Sequence, residues 1–178
     1  MSTNPGMYVL PRPVAPRRRL CAALIIAALP CFARSPSAPP EGASPDLLAE
    51  LAKCPHSVLF ETRRDGNWEI YRARADGSEP VNVTRTADVD ELYPKASPDG
   101  SMICFEADEG AGEKRARNVY VMNADGTGRR RIADNARDPC WAADGQHVTF
   151  LKGEFDTYSL VDYASRGIFI HDLRTGGT

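Results

Sequence analysis

The sequence predicts an all-β protein built from repeated antiparallel sheets, and three observations lead to this fold class. The pair Asp-Gly occurs five times after residue 57, at positions 65, 76, 99, 125 and 144, where composition alone predicts about one. Phenylalanine recurs at a constant step of 45 residues, at Phe60, Phe105 and Phe150. Short runs of β-branched and aromatic residues lie between these signals. Together they indicate an internal repeat of short strands joined by tight hairpins.

The first 33 residues have the pattern of an export signal. They contain no Asp or Glu, and the three arginines at 17–19 precede an apolar run from Leu20 to Ala33. Positive charge followed by a short apolar segment is typical of a cleaved signal peptide. As a helix the run spans only about 21 Å of a ~30 Å hydrocarbon core. An uncleaved anchor and an ordinary soluble segment are therefore the less favoured alternatives.

A linker and a short helix are predicted between this segment and the repeats. Residues 34–44 are rich in Pro and Ser, which is typical of a linker, and residues 45–54 are predicted to form a short amphipathic helix. Ser44 is placed to cap the helix, and Cys54 ends it because the residue before a proline disfavours helical geometry. We expect its apolar face either to cover an open side of the strands or to leave the helix as a spacer; that face consists of Leu47, Leu48 and Leu51.

Charge and cysteine content exclude several classes of partner. The formal net charge is -2, and removal of the four arginines within residues 1–33 lowers it to -6. Nucleic acids and anionic membranes favour basic surfaces, so we expect neither as a partner, and a membrane only through an uncleaved signal segment. Three cysteines follow the signal, which allow at most one disulfide. Cys104 lies in an apolar run and is predicted to be a buried small hydrophobic residue.

The repeats are predicted to be β-propeller blades, because a period of about 45 residues with four short strands is typical of such a blade. Residues 57–178 supply about 2.7 blades, whereas closed propellers have about 4 to 8. We divide them into a partial blade at 57–84, a full blade at 93–133 and a partial blade at 139–178. This incomplete ring predicts either a truncated version of a longer propeller or copies that complete one another.

Three segments resemble the repeats of TolB-like β-propellers, a WD-repeat-like family. They read Arg-Asp-Gly-Asn-Trp-Glu-Ile-Tyr from residue 64, Ala-Ser-Pro-Asp-Gly from residue 96 and Val-Tyr-Val-Met-Asn-Ala-Asp-Gly-Thr from residue 119. The resemblance covers about residues 57–178 and aligns Lys95 with Trp141 at a position where the family usually has Trp. It implies a periplasmic or secreted, non-enzymatic protein of the Tol biopolymer transport type that binds protein partners in the cell envelope. The alternative is the propeller portion of a hydrolase or polysaccharide-degrading enzyme that is truncated before its catalytic part.

The candidate binding surface consists of the connections opposite the short Asp-Gly hairpins, since variable loops on a rigid scaffold commonly carry binding residues. These connections are predicted at 63–67, 85–92, 107–117, 134–138 and 152–166. The charged residues that we single out there are Arg63, Arg64, Asp88, Asp90, Glu91, Asp108, Glu109 and Glu113. An ordinary solvated loop charge is the alternative for each of them.

No catalytic residue, cofactor or metal site is predicted. The sequence has no nucleophile elbow and no Gly-rich phosphate loop. The acidic groups near residues 88–91 and 108–109 consist of the oxygen ligands that hard cations prefer, but they lack the spacing of a calcium loop. The three histidines, His56, His147 and His171, are predicted to be structural or surface residues.

Overall fold

The computed structural model describes residues 42–153 and 164–178, apart from the side chain of Glu113. The predicted signal peptide and most of the predicted linker lie outside these residues. The described elements, in chain order, are helix α1 (Pro45–Ala52) and the strands β1 (Ser57–Thr62), β2 (Glu69–Arg74), β3 (Val81–Asn82), β4 (Asp90–Ala96), β5 (Met102–Glu109), β6 (Ala116–Asn123), β7 (Arg130–Ala133), β8 (Ala136–Trp141), β9 (His147–Gly153) and β10 (Ser165–Asp172). A 3-10 turn, Gly112–Lys114, lies between β5 and β6.

The strands form three antiparallel meanders that follow one another along the chain. They are β1-β2-β3, β4-β5-β6-β7 and β8-β9-β10, here called blades 1, 2 and 3. The predicted all-β architecture of four-stranded meanders is confirmed: blade 2 has all four strands, and the described parts of blades 1 and 3 have three each. The described strands of blade 1 occupy the second to fourth positions of the repeat, and those of blade 3 occupy the first to third.

An aromatic pair occupies the same place in every blade. The paired residues face each other across the two strands as Phe60 and Tyr71, Phe105 and Tyr120, and Phe150 and Phe169. Their ring centroids are 5.8, 5.7 and 6.1 Å apart. The 45-residue step of the phenylalanines therefore reflects a repeated cross-strand contact, which is the unit of sheet stabilisation.

The two faces of blade 2 are both covered. Its Phe105 packs against Ile70 of blade 1, whereas Val119 packs against Phe150 of blade 3 and Val121 against Val148. This double covering explains why β6 is apolar on consecutive residues. We call the face of a blade toward lower residue numbers its proximal face and the opposite one its distal face.

A carboxylate latch joins each blade to the next. The first strands of blades 2 and 3 bulge at Tyr93 and Asp138, which have positive φ angles of 54° and 53° and precede a proline. The backbone N–H of Tyr93 donates to Glu61 Oε2 at 2.5 Å, and that of Asp138 donates to Glu106 Oε1 at 2.6 Å. The two glutamates are one repeat apart, so the same device recurs at both blade interfaces.

Helix α1 has the predicted start but does not cover an open sheet face. Ser44 Oγ accepts the backbone N–H of Leu47 at 3.2 Å, and Pro45 stands at the first turn. No residue of the helix is fully buried: Leu47 is 48% exposed, and Leu48 and Leu51 are only partly buried. A tether to blade 1 runs from Arg74 Nη2 to the carbonyl of Ala52. Of the two expectations for its leucines, the structure therefore favours the spacer. Among the described residues, no helix is long and apolar enough to cross a bilayer.

Strand pairing corrects one alignment made from the sequence. Ala96 faces Ile103 in blade 2 in the same way as Trp141 faces Val148 in blade 3, so Trp141 corresponds to Ala96 and not to Lys95. The indole Nε1 of Trp141 instead donates to the carbonyl of Lys95 at 2.9 Å. The tryptophan thus reaches across to the preceding blade.

Candidate functional site

Four Asp-Gly turns lie at one end of the sheets, which we call the turn face. The connections β1-β2, β3-β4 and β5-β6 lie at the other end, which we call the loop face. An open cleft of about 360 Å³ lies there between blades 1 and 2. Four of the eight residues singled out from the sequence line it: Arg63, Asp88, Asp90 and Asp108.

The floor of the cleft is an ion-pair cluster centred on Asp108, which is 4% exposed. Arg117 donates to both of its carboxylate oxygens, at 2.6 and 2.8 Å, and Arg115 Nη2 donates to Oδ2 at 2.8 Å. Asp90 Oδ2 lies 3.6 Å from the same Arg115 nitrogen. Bidentate arginine pairs fix orientation as well as charge. The floor is therefore a pre-arranged, charge-compensated surface.

The blade 1 wall of the cleft is held by hydrogen bonds between residues distant in sequence. Asn67 Nδ2 donates to the carbonyls of Thr86 and Val89, at 2.7 and 2.6 Å. The backbone N–H of Trp68 donates to Asp90 Oδ1 at 3.0 Å. These bonds tie the β1-β2 connection to the β3-β4 connection. The mouth is thus built on a fixed frame rather than on independent loops.

The opposite wall is a short glycine-containing connection, from Gly110 to Gly112. Gly110 has a φ of 76°, and a Cβ there would lie 2.6 Å from the carbonyl oxygen of Lys114. Only glycine fits this position without moving backbone. The chain between β5 and β6 can therefore turn tightly and present backbone groups at the cleft edge.

The other four singled-out residues lie elsewhere. Arg64 stacks its guanidinium 4.5 Å above the Tyr71 ring, outside the cleft. Glu109 accepts hydrogen bonds from Asn118 at 2.8 Å and from the hydroxyl of Tyr120 at 2.5 Å. The side chain of Glu113 is outside the described part of the structure, and Glu91 is fully buried.

The loops themselves are shorter than the sequence predicts, because the flanking strands extend into them. Asp90 and Glu91 belong to β4, and Asp108 and Glu109 belong to β5. Strand β8 likewise begins at Ala136, inside the predicted connection 134–138. Residues 154–163, most of the last predicted connection, are outside the described residues. Charged residues are typical of loops, but here the acids lie in strands and form ion pairs with arginines of the same blade, such as Asp108 with Arg117 and Glu91 with Arg129.

Glu91 and Glu106 are buried carboxylates at the two blade interfaces. Glu91 Oε1 accepts from Thr86 Oγ1 and from Arg129 Nη1, both at 2.6 Å. Glu106 Oε2 lies 3.0 Å from Arg117 Nη1. Burial raises the pKa of both carboxyl groups above their usual range, with the hydrogen bonds and arginines opposing the shift. They belong to the framework beneath the cleft and do not line it.

The remaining chemically versatile residues do not converge. Within residues 42–153 and 164–178, no group of three or more His, Cys, Asp or Glu residues is arranged to hold a metal ion. His171 Nδ1 lies 2.7 Å from Thr178 Oγ1, and burial lowers its pKa. Cys104 is fully buried, as predicted, and burial raises its pKa to about 12. It packs as a small apolar residue with Val121 and Val148.

Several cleft residues were not singled out from the sequence, and Asn67 and Arg115 are the polar ones that line the cleft. Arg115 had a detectable signal: it directly precedes β6 and stands two residues before Arg117, which pairs with Asp108 of β5. Opposite charges at matched steps of two favour cross-strand pairs. Asn67 had no such signal, because its partners lie 19 and 22 residues away.

Comparison with known proteins gives short or distant likenesses. No protein-family profile matches the chain. Dipeptidyl-peptidase 5 of Porphyromonas gingivalis is 33% identical over 63 residues, which are 33% of this chain and 9% of that protein. An Agrobacterium fabrum protein of unassigned function is 25% identical over 105 residues, 53% of this chain and 36% of that one. The chain thus spans about a third or less of the length of these relatives.

Among solved structures, a TolB protein from Agrobacterium tumefaciens superimposes with a TM-score of 0.52 at 21% sequence identity. The match covers 68% of this chain and 43% of that one. At this identity the likeness concerns the fold alone. The chain has a TolB-like β-propeller fold, as the repeat segments predicted.

Proposed function

We propose that the chain is an exported, non-enzymatic TolB-like propeller module that binds a protein partner of the cell envelope through the loop-face cleft. The observation that carries this proposal is the cleft itself. It has a fixed frame, a buried ion-pair floor and exposed charges at its mouth. Binding surfaces of propellers and other rigid scaffolds are commonly built in this way.

The charges at the cleft fit a segment of a protein better than a uniform polyion. Arg63 and Asp88 are exposed on the rim, so both signs of charge are available. The Asp108 floor is already compensated by its arginines and adds no strong field of one sign. The wall from Gly110 to Gly112 lines the cleft without a charged side chain. A mixed-charge peptide segment matches this pattern.

The predicted export signal supports a periplasmic or secreted location. The arginines at 17–19 followed by the apolar run to Ala33 carry this part of the proposal. Cell fractionation and intact-mass measurement test it: we expect the protein outside the cytoplasm, shortened by about 30 to 40 residues. Soluble cytoplasmic protein that retains Met1 would contradict export while leaving the cleft proposal open to its own test.

A second candidate is the propeller portion of a hydrolase, which the 63-residue likeness to a dipeptidyl-peptidase favours. The two candidates differ in their genetic context and in activity. A binding module is expected to show no turnover of peptide, ester or glycoside substrates by the purified chain. Reproducible turnover that disappears in His171→Gln or His56→Gln would favour an enzyme instead.

The binding proposal is tested by charge reversal at the cleft rim. Tagged full-length chain, wild type or Arg63→Glu, is used to recover partners from the envelope fraction after mild cross-linking. Arg85→Glu is the matched control, since Arg85 is exposed in the β3-β4 connection outside the cleft. We expect one discrete partner with the wild type and the control, and its loss with Arg63→Glu. Equal recovery by all three would contradict binding at the cleft.

A further inference from the structure

The distal face of blade 3 exposes residues whose counterparts are buried in blade 2. Ile168 and Ile170 of β10 stand one repeat after Val119 and Val121 of β6, by the pairing of each strand with its neighbour. The two valines are 0% exposed because blade 3 covers them, whereas the isoleucines are 74% and 56% exposed. Leu151, paired with Ile168, extends the same apolar strip. The apolar residues of this face are those expected at a blade interface, but they are exposed to solvent.

The proximal face of blade 1 is the complementary surface. Val58 and Phe60 stand at the positions of Val148 and Phe150, which receive the distal face of blade 2. Val58 is 46% exposed. By this equivalence, Ile170 fits against Val58 as Val121 fits against Val148. The chain therefore has both halves of one blade interface, at opposite ends of its blade array.

The carboxylate latch identifies which sheet fits the open face. At the position of Glu61 and Glu106, blade 3 has Leu151. The first strands of blades 2 and 3 each donate a bulge N–H to the glutamate of the preceding blade. A blade of this kind docked on blade 3 would leave that N–H buried against Leu151 without an acceptor, and an unpaired buried donor costs free energy. Among the described residues, blade 1 has no strand before β1 and hence no bulge. The acceptor that blade 3 lacks is therefore one that the described part of blade 1 does not require.

We propose that blade 3 of one copy docks on blade 1 of a second copy of this chain. The contact is heterologous, since it joins different surfaces of the two copies. Two copies related by a two-fold axis satisfy both contacts at once and bring six sheets together, within the range of about 4 to 8 blades in closed propellers. Self-association then removes the exposed isoleucines from water.

The test measures the mass of the purified full chain in solution over a concentration series, by light scattering and sedimentation. We expect twice the mass found for the same sample under denaturing conditions. Ile170→Lys and Val58→Glu each place an unpaired charge in the interface and should weaken dimerisation about 100-fold or more. The double variant brings the introduced lysine of one copy beside the introduced glutamate of the other and should restore the dimer.

Val81→Lys is the matched control, because Val81 is 40% exposed on β3 and pairs with Arg72 on the distal side of blade 1. It should leave the dimer intact. Circular dichroism and thermal melting establish that each variant is folded. A wild type that stays monomeric, a dimer unaffected by Ile170→Lys and Val58→Glu, or no recovery in the double variant would overturn the proposal. A monomer whose β10 amides are protected from hydrogen exchange would also overturn it and would assign the face to another segment of the same chain.

Discussion

The two ends of the blades are built by different kinds of contact. On the turn face, aspartates accept a backbone N–H two residues ahead: Asp76 from Ser78 at 3.0 Å, Asp99 from Ser101 at 3.1 Å and Asp125 from Thr127 at 2.9 Å. On the loop face, the groups that shape the cleft join residues of different strands and blades. The turns are alike in every blade because their contacts join residues close in sequence. The loop face differs from blade to blade because its contacts join residues distant in sequence.

The pKa values of the carboxyl groups shift in opposite directions on the turn face and at the blade interfaces. Hydrogen bonds from Ser97 and Ser101 lower the pKa of Asp99 to about 2, and hydrogen bonds from Ser78 and Thr127 lower the pKa values of Asp76 and Asp125. Burial raises the pKa of Glu91 and of Glu106 toward the loop end. The turns thus stabilise the charged form of their aspartates, whereas burial at the blade interfaces disfavours the charged form of Glu91 and Glu106.

The largest effect is expected from removing the floor of the cleft. Asp108→Ala removes the buried carboxylate that joins Arg117 to the partly exposed Arg115 and leaves a gap beneath them, which should cost about 3 kcal/mol or more of unfolding free energy. Asp125→Ala, which removes an exposed turn acceptor, is the control and should cost much less. Urea unfolding monitored by tryptophan fluorescence measures both. Equal losses would show that the two ends contribute alike and contradict the comparison.

A second prediction separates a turn that packs against its neighbour from one that does not. Gly126 and Gly100 both have positive φ, 89° and 73°, in Asp-Gly turns. A Cβ at Gly126 would lie 2.2 Å from the carbonyl oxygen of Val83 in the preceding blade, whereas one at Gly100 meets nothing within 4 Å. Gly100→Ala should cost about 1 to 2 kcal/mol and Gly126→Ala about 3 kcal/mol or more. A similar loss of unfolding free energy for both variants would indicate that the backbone at Val83 can move away from the added methyl group without destabilising the fold.

The difference between local and distant contacts also explains what could be predicted from the sequence. The repeat of Asp-Gly and of Phe60, Phe105 and Phe150 predicted the meanders, since hairpins and cross-strand pairs depend on short-range spacing. The placement of Glu91 in a strand, and of Asp108 beneath Arg115, depends on residues in other strands and blades. No periodicity of a single segment encodes such contacts. The meander fold was therefore predictable from the sequence. For the cleft, only the end of the sheets on which it lies was predictable.

A third prediction concerns pH. Because folding raises the pKa of Glu91 and Glu106 above 4.5, their contribution to stability is fully present below pH 4.5 and is lost as pH rises through the raised values. Because folding lowers the pKa of Asp99 from 3.8 to about 2, its contribution is present above pH 3.8 and is lost as pH falls toward 2. On acidification from neutral pH, the urea midpoint should first rise as Glu91 and Glu106 become protonated, and should fall below about pH 4.

Two variants assign the phases of that profile. Glu91→Gln should flatten the upper phase, and Asp99→Asn should reduce the lower one. Fluorescence-monitored urea titrations at each pH provide the midpoints. A midpoint that declines steadily from neutral pH in the wild type would contradict the opposite ionisation of the two ends.

The smallest effect on stability is expected at the cleft rim. Asp88→Asn changes an exposed side chain and should alter the unfolding free energy by no more than about 0.5 kcal/mol. Its effect should appear instead as weaker partner binding, measured by recovery of the cross-linked partner at increasing salt. Asp76→Asn on the turn face is the control for binding and should leave recovery unchanged. Loss of stability without loss of binding would assign Asp88 to the framework.

Site-specific photo-cross-linking in intact cells is the most direct test of the proposed partner binding at the loop face and not at the turn face. A photoreactive residue replaces Asp88 at the cleft or Asp125 on the turn face, both of which are exposed. We predict a discrete adduct from position 88 that disappears when Arg63→Glu is added, and none from position 125. An adduct from position 125 alone, equal adducts from both positions, or none from position 88 would contradict the claim.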